Sequence, residues 1–102
     1  MSEQIIAKGK VVGGHLMSQT LLPRMVDGNS IGLYFDGTDE FPERITATTP
    51  NGQFAGHINK ALALVIHESR HRVTAMSAIC KETSTRRKEG WSVEVSYTLS
   101  QF

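Results

Sequence analysis

The chain has 102 residues and a mass of 11.3 kDa, which is enough for one domain and too little for two. Its composition is that of a globular protein and not of a disordered tail, since 39 % of the residues are hydrophobic, 21 % are charged and the formal net charge is +1. The longest apolar run, Ala61 to Ile66, is far shorter than the roughly 18 residues of a membrane span. The single cysteine, Cys80, excludes an internal disulfide and multi-cysteine zinc sites.

The amino terminus does not have the pattern of a secretory signal. Residues Met1 to Gln4 contain no positive charge ahead of an apolar stretch. No repeat, low-complexity stretch or Pro/Ser-rich linker divides the chain. We therefore expect one domain spanning residues 1–102, cytoplasmic and without a membrane partner.

Six segments have the composition or the alternation of β-strands. The clearest is the last, in which every second residue from Trp91 to Leu99 is apolar, as in a strand with one buried face. Ile31, Leu33 and Phe35 share one face in the same way. The predicted strands are, in chain order, Ile5 to Val12, Ser30 to Phe35, Arg44 to Thr48, Gln53 to Ala55, Arg72 to Lys81 and Trp91 to Leu99.

Two of the predicted connections have distinct sequences. After the third strand comes Pro50-Asn51-Gly52, in which the Asn-Gly pair predicts the positive φ angles of a tight hairpin turn. The last two strands are predicted to pair as a hairpin, and the polar and charged segment Glu82 to Gly90 predicts a long exposed loop between them.

One segment, Lys60 to Glu68, predicts a helix. It contains no Gly or Pro and follows Asn59, a favourable N-cap residue. Ile58, Leu62 and Ile66 recur every four residues with Val65 beside them, which predicts an apolar stripe. The chain is therefore predicted to be mostly β with one main helix, in a small barrel or strongly bent sheet that the helix closes at one end.

The sequence His67-Glu68-Ser69-Arg70-His71 has the H-E-x-x-H spacing of zinc hydrolases. Two histidines four residues apart on a helix can hold Zn²⁺, and the intervening Glu can activate the bound water. Ser69 and Arg70 are untypical of that family, no third ligand stands out, and the segment from Arg72 already predicts a strand. A helix end rich in cations explains the motif better, so we expect no metal site and no catalysis.

Several charged clusters offer further interpretations. Four carboxylates, Asp36, Asp39, Glu40 and Glu43, lie in eight residues without the spacing of an EF-hand, and they predict a solvated acidic loop. The basic cluster Arg86-Arg87-Lys88 fits either a phosphate contact or a solvated loop tip. Cys80, within a predicted strand, is expected to be a buried small apolar residue.

Two segments resemble the HIRAN domain. Residues 9–15, Gly-Lys-Val-Val-Gly-Gly-His, are similar to the first strand and V-G turn of that family, and residues 45–64 are similar to its central stretch. There Asn51-Gly52 matches the turn, Gly56-His57-Ile58 matches the start of the helical segment, and Ala61 with Leu62 matches the helix itself. The resemblance extends over about residues 5–99, and its most specific part is 45–64.

The resemblance implies a small β-barrel related to OB and SH3-like folds, without enzymatic activity or a cofactor, that binds single-stranded DNA, in some members at the 3′ end. Such domains occur fused to DNA translocases and as standalone bacterial or phage proteins. His57 and Lys60 match positions that reach backbone phosphate at a helix N-terminus. The implied groove is lined by His15, Phe41, His57, Asn59 and Lys60, with Arg86, Arg87 and Lys88 as a flanking electrostatic contact.

The sequence departs from the family in two places. His15 or Leu16 stands where the family has an aromatic residue after V-G, and the family's N-x-Y-D loop is replaced by Asp39-Glu40-Phe41-Pro42-Glu43. Phe41 is then the candidate for the stacking tyrosine, whereas the aspartate for a terminal 3′-hydroxyl has no match. The alternative function is a protein-interaction module of a phage or mobile element that binds a host protein through this acidic loop, and a homodimer fits either function.

Overall fold

The computed structural model describes residues 2–13, 28–82 and 89–100. Within these ranges the chain forms six β-strands, one α-helix and a 3₁₀ turn at Arg70–Arg72. The strands are β1 (Ser2–Val12), β2 (Ser30–Phe35), β3 (Ile45–Thr48), β4 (Phe54–Ile58), β5 (Val73–Cys80) and β6 (Trp91–Ser100), and helix α1 (Lys60–Glu68) lies between β4 and the 3₁₀ turn. No helix in these ranges has both the length and the apolar composition needed to cross a membrane.

The six strands close into an antiparallel barrel in the order β1-β4-β3-β2-β5-β6. The longest pairing joins the two ends of the described chain, from Ser2 opposite Ser100 to Val11 opposite Trp91. The barrel closes where the end of β1 meets β4, with Val12 opposite His57. The predicted fold class, a small β-barrel with one main helix, is confirmed.

The core follows from the alternation of the strands. In β6, Trp91, Val93, Val95, Tyr97 and Leu99 are all buried, while the residues between them are partly exposed. In β2, Ile31 is buried and Leu33 and Phe35 are half-buried, whereas their neighbours are exposed. Removing these apolar faces from water supplies the main driving force for folding, and both predicted alternations are confirmed.

The strand boundaries differ from the predictions by a few residues. Strand β1 begins at Ser2 and not at Ile5, because its first residues pair with the end of β6. Strand β4 runs to Ile58 and not only to Ala55, since the residues that lead into the helix still pair with β1 and β3. Arg72 and Lys81 lie outside β5, and Arg44 lies just before β3.

The connection between β3 and β4 is not the predicted turn with two positive φ angles. Gly52 has φ +85°, but no residue other than glycine has a positive φ within the described ranges. The Gly52 amide donates to the carbonyl of Thr49 at 2.9 Å, and the Thr49 amide donates to the carbonyl of Gln53. The chain therefore makes a type I-like turn that ends in a left-handed glycine, the usual geometry of slightly longer hairpin loops.

Helix α1 contributes Leu62, Ala63 and Ile66 to the core. Val65, predicted to lie beside the apolar stripe, is instead 53 % exposed, because the buried stripe turns toward Ala63. The helix approaches β1 closely at Gly9, where an added Cβ would lie 2.5 Å from Leu62 Cδ2. The absence of a side chain at that position thus lets the helix pack against the barrel.

Asn59 occupies the N-cap position, but its side chain does not cap the helix. Its Oδ1 accepts a hydrogen bond from the Lys10 amide at 2.9 Å, and its own amide donates to the Lys10 carbonyl at the same distance. Asn59 therefore extends the pairing of β1 beyond Ile58 and fixes where the helix begins, which corrects the expectation that it caps α1.

Candidate functional site

A pocket of about 340 Å³ opens where the end of β1, the end of β4, the first turn of α1 and the loop before β3 meet. It combines aromatic, cationic and acidic side chains with an apolar floor. Three of the residues expected from the sequence, Phe41, His57 and Lys60, lie in it together. Its lining is formed by Val12, Phe41, Glu43, Arg44, His57, Ile58, Lys60 and Ala63.

A chain of hydrogen bonds from the barrel fixes the His57 ring. The Thr46 hydroxyl donates to Asp36 Oδ2 at 2.8 Å and lies 3.2 Å from His57 Nδ1. A hydroxyl has one proton, so when Thr46 gives it to the carboxylate the bond to His57 must be donated by Nδ1–H. The tautomer is thereby set, and Nε2 has no hydrogen-bond partner among the described residues.

The far end of this chain is an ion pair. Arg44 donates from Nη2 to Asp36 Oδ2 and from Nε to the Asp36 carbonyl, each at 3.1 Å. The hydrogen bond from Thr46, together with the positive charge of Arg44, holds the pKa of Asp36 below its ordinary value. Asp36 is therefore ionised at neutral pH, as the role of hydrogen-bond acceptor from Thr46 requires.

The electrostatics of the pocket keep His57 neutral. Burial of the ring lowers its pKa, the positive charge of Arg44 lowers it further, and the charge of Asp36 only partly opposes them. A neutral imidazole with its proton on Nδ1 presents Nε2 as an acceptor. At neutral pH the pocket therefore offers a ligand a hydrogen-bond acceptor at His57, and on protonation the same atom becomes a donor.

The aromatic side chains around His57 remain accessible. Phe54 meets the His57 ring edge to face, with centroids 5.1 Å apart and an angle of 64°. Phe41 is 45 % exposed at the pocket, so it is not a residue of the core. The loop that carries Phe41 is held by its own bonds, from the Phe41 amide to Thr38 Oγ1 and from the Thr38 and Arg44 amides to the Phe41 carbonyl.

Glu43 is a functional candidate that the sequence interpretation missed. It was assigned to a solvated acidic loop, yet it is only 8 % exposed and lines the pocket. Its side chain makes no hydrogen bond or ion pair with any described residue. The spacing of Glu43 in the sequence could have indicated its burial. Glu43 stands two residues before Ile45, a fully buried residue of β3, and residues two apart in an extended chain lie on the same face.

The rest of the acidic loop also differs from the expectation. Asp36 is engaged with Arg44 and Thr46, and Glu43 is buried. Of the four carboxylates, only Asp39 and Glu40 are exposed. Binding of a protein partner through this loop remains a prediction, and these two residues are the ones available to it.

The remaining predicted residues fall outside the pocket. Asn59 is next to it in the chain, but its side chain faces Lys10 on the other side of the helix start and lines a separate groove. His15, Arg86, Arg87 and Lys88 lie outside the described residues. Cys80 is fully buried, and its thiol donates to the carbonyl of Glu82.

The two histidines of the H-E-x-x-H sequence do not share a helix face. Helix α1 ends at Glu68, and His71 lies in the 3₁₀ turn that follows. The zinc-hydrolase interpretation requires an uninterrupted helix through both histidines, so the local structure argues against it. No group of three or more potential metal ligands occurs in residues 2–13, 28–82 and 89–100.

Comparison with known proteins identifies solved structures with the same fold as this chain. No protein-family model and no curated protein sequence matches the chain. Among solved structures, the HIRAN domain of human HLTF superimposes with a TM-score of 0.70 at 15 % identity, covering 98 % of this chain and 81 % of that one. A protein from Lactobacillus plantarum gives a TM-score of 0.69 at 13 % identity, covering 98 % of this chain and all of that one. At these identities the likeness concerns the fold, and the fold of this chain is HIRAN-like.

Proposed function

We propose that this protein is a non-enzymatic DNA-binding module that holds the end of a single strand in the pocket between β4, α1 and the loop before β3. The observation that carries the proposal is the meeting of Phe41, His57 and Lys60 with the largely buried acidic residue Glu43 in one pocket. The HIRAN-like fold supports a nucleic-acid ligand.

The chemistry of the pocket fits a nucleotide part by part. The exposed ring of Phe41 offers a stacking surface for a base, a contact that tolerates any sequence. Lys60, at the first turn of α1, offers a positive charge for a phosphate. A volume of about 340 Å³ lies at the small end of ligand pockets, which run from about 300 to 1,000 Å³. It suits a strand end and is too small for a duplex.

Glu43 gives the pocket a basis for selecting a free end. A carboxylate accepts a hydrogen bond from a sugar hydroxyl, whereas a phosphate at the same position brings a second negative charge against it. The resemblance to the family implies that the end is the 3′ end, and Glu43 supplies the acidic group that the sequence comparison could not match. The neutral His57 Nε2 is a second acceptor beside it.

The test is fluorescence anisotropy with a labelled single strand that carries either a free 3′-hydroxyl or a 3′-phosphate. We expect the free end to bind about tenfold more tightly, since a hydrogen bond to a charged group contributes about 1.5–3 kcal/mol and 1.4 kcal/mol is a factor of ten. Glu43→Gln should narrow this difference, because it removes the charge that repels the phosphate. Glu40→Gln, on the exposed part of the same loop, is the matched control and should leave it unchanged.

Two results would overturn the proposal. One is the absence of saturable binding to any single strand at low salt. The other is equal affinity for blocked and free ends in the unmodified protein, which would mean that the pocket does not hold the terminus. If the protein binds neither the strand with a free 3′-hydroxyl nor the strand with a 3′-phosphate, the alternative function as a protein-binding module is tested by a pull-down with host proteins. Charge reversal of Asp39 and Glu40 should then abolish the binding of a host protein.

A further inference from the structure

A second and larger cavity lies on the outer surface of the barrel, across β1, the start of β6 and the residue after β5. It is an open groove of about 720 Å³. Three lysines line it, Lys8 and Lys10 from β1 and Lys81 after β5. Its other polar side chains are those of Asn59, Ser92 and Glu94.

The lysines of this groove have no acidic partner in the described structure. The one ion pair within the described residues joins Arg44 and Asp36, neither of which lines the groove. Glu94 is the only carboxylate that lines the groove, and although it stands opposite Lys8 in the strand register it makes no ion pair with it. The nearby Glu82 carboxylate accepts a hydrogen bond from the Ser92 amide at 2.6 Å and keeps its negative charge. Three lysines against the carboxylates of Glu94 and Glu82 leave the groove and its edge with a net charge of +1, and none of these lysines forms an ion pair with a described residue.

The groove and the pocket lie on opposite sides of the start of helix α1. Asn59 lines the groove, and the next residue, Lys60, lines the pocket. The Asn59 side chain is held by the Lys10 amide, so it leaves the first N–H groups of the helix uncapped between the two cavities. Within the groove, Lys8 and Lys10 lie on the same face of β1, about 7 Å apart along the strand. A strand that crosses the start of α1 beyond Lys60 would reach these lysines.

We infer that this groove binds the sugar–phosphate backbone of the strand whose end occupies the pocket, an inference that rests on the proposed function. The ligand class is a phosphodiester chain, bound through charge, because lysine ammonium groups neutralise phosphates without reading bases. The position of the groove, across the start of α1 from the pocket, favours a nucleic acid over an acidic peptide, because a peptide would not use the aromatic ring and the hydroxyl acceptors of the pocket.

The experiment compares a trinucleotide, long enough for the pocket alone, with a dodecanucleotide, both with a free 3′-hydroxyl. The test variant is Lys8→Gln/Lys10→Gln/Lys81→Gln, and each single variant is compared with Arg70→Gln, which also removes one charge but lines neither cavity. Thermal unfolding checks that each variant is folded. For single strands each neutralised phosphate contributes about 0.7 to the slope of log affinity against log salt concentration.

For the dodecanucleotide, we expect the slope of log affinity against log salt concentration to be steeper by about 2 in the unmodified protein than in the triple variant. Between 50 and 200 mM salt, the unmodified protein should therefore lose roughly 20-fold more affinity than the triple variant. Trinucleotide binding should be the same in both, and Arg70→Gln should keep the advantage of the longer strand. If the triple variant still binds the dodecanucleotide more tightly than the trinucleotide by the same factor as the unmodified protein, the inference is overturned while the proposed function stands. Failure of both oligonucleotides to bind the unmodified protein overturns the proposed function. Displacement of the dodecanucleotide by poly-glutamate at equal concentration would identify the groove as a site for acidic proteins and also overturn the inference.

Discussion

Replacement of Thr46 by valine tests the hydrogen-bond chain that fixes the pocket. Thr46 is 1 % exposed, and its hydroxyl links Asp36 to His57 Nδ1. Valine has nearly the same shape, so the change removes the hydroxyl without opening a cavity. The Nδ1–H of His57 then loses its acceptor, and a buried donor without a partner costs about 1–3 kcal/mol. His57 is only partly buried, so we expect a loss of about 1–2 kcal/mol in the free energy of unfolding.

The same strand provides a matched control. Thr48 also has a hydroxyl near an acceptor, but the distance to the Gly32 carbonyl is 3.5 Å and the residue is half-exposed, so Thr48→Val should cost little. For a domain of this size, 1 kcal/mol lowers the melting temperature by about 4–8 °C. Urea denaturation measures the difference, and ¹⁵N NMR of the imidazole reports the tautomer. Equal stability of the two variants, or a proton on Nε2 in the unmodified protein, would refute the reasoning.

Two further predictions concern stability. Because the pKa of His57 is lowered in the folded state, its contribution to stability is complete above its ordinary pKa of 6.5 and is lost as the pH falls through the lowered value. Urea denaturation should therefore show that the free energy of unfolding decreases from pH 7.5 to pH 5. The decrease should be smaller in His57→Gln, whereas the control variant His71→Gln, at an exposed position, should show the same decrease as the unmodified protein. Gly9→Ala should destabilise by about 1 kcal/mol, because its Cβ would lie 2.5 Å from Leu62 Cδ2 and force the buried leucine side chain to shift, while the lower backbone entropy of alanine offsets part of the cost. If the clash is the cause, the double variant Gly9→Ala/Leu62→Ala should lose less free energy of unfolding than the sum of the losses in the two single variants.

The sequence was sufficient for those parts of the fold that depend on local alternation. Buried and partly exposed residues alternate along the whole of strand β6, so the sequence from Trp91 onward predicts both the length of the strand and the face that is buried. The start of α1 was placed correctly, but the role of Asn59 was not. A short amide that ends a strand can bond either to its own helix or to a neighbouring strand, and only the closure of the barrel brings Lys10 within reach.

The candidate site was predictable only where a residue type matched a family position. His57 and Lys60 match family positions, whereas Phe41 is the aromatic residue of the loop that departs from the family, and the structure places all three in one pocket. Glu43 was overlooked because four carboxylates in eight residues read as a single acidic loop. The structure separates them: Asp36 belongs to a partly buried hydrogen-bond chain, Glu43 lines the pocket, and Asp39 and Glu40 lie on the surface. Charge clusters in a sequence therefore cannot be assigned one role before the faces of the flanking strand are known.

The bonds of Asn59 connect the fold to both proposed surfaces. An asparagine at the N-cap usually satisfies one of the first helical amides, and loss of that bond costs about 1 kcal/mol. Here the side chain bonds Lys10 instead and ties the helix to β1. The first amides of α1 are left open beside Lys60, between a groove that carries Lys10 and a pocket that carries His57. A phosphate at that position would satisfy the uncapped amides and complement the positive end of the helix dipole. Binding of a strand across this point would thus restore a stabilising interaction that the free protein lacks.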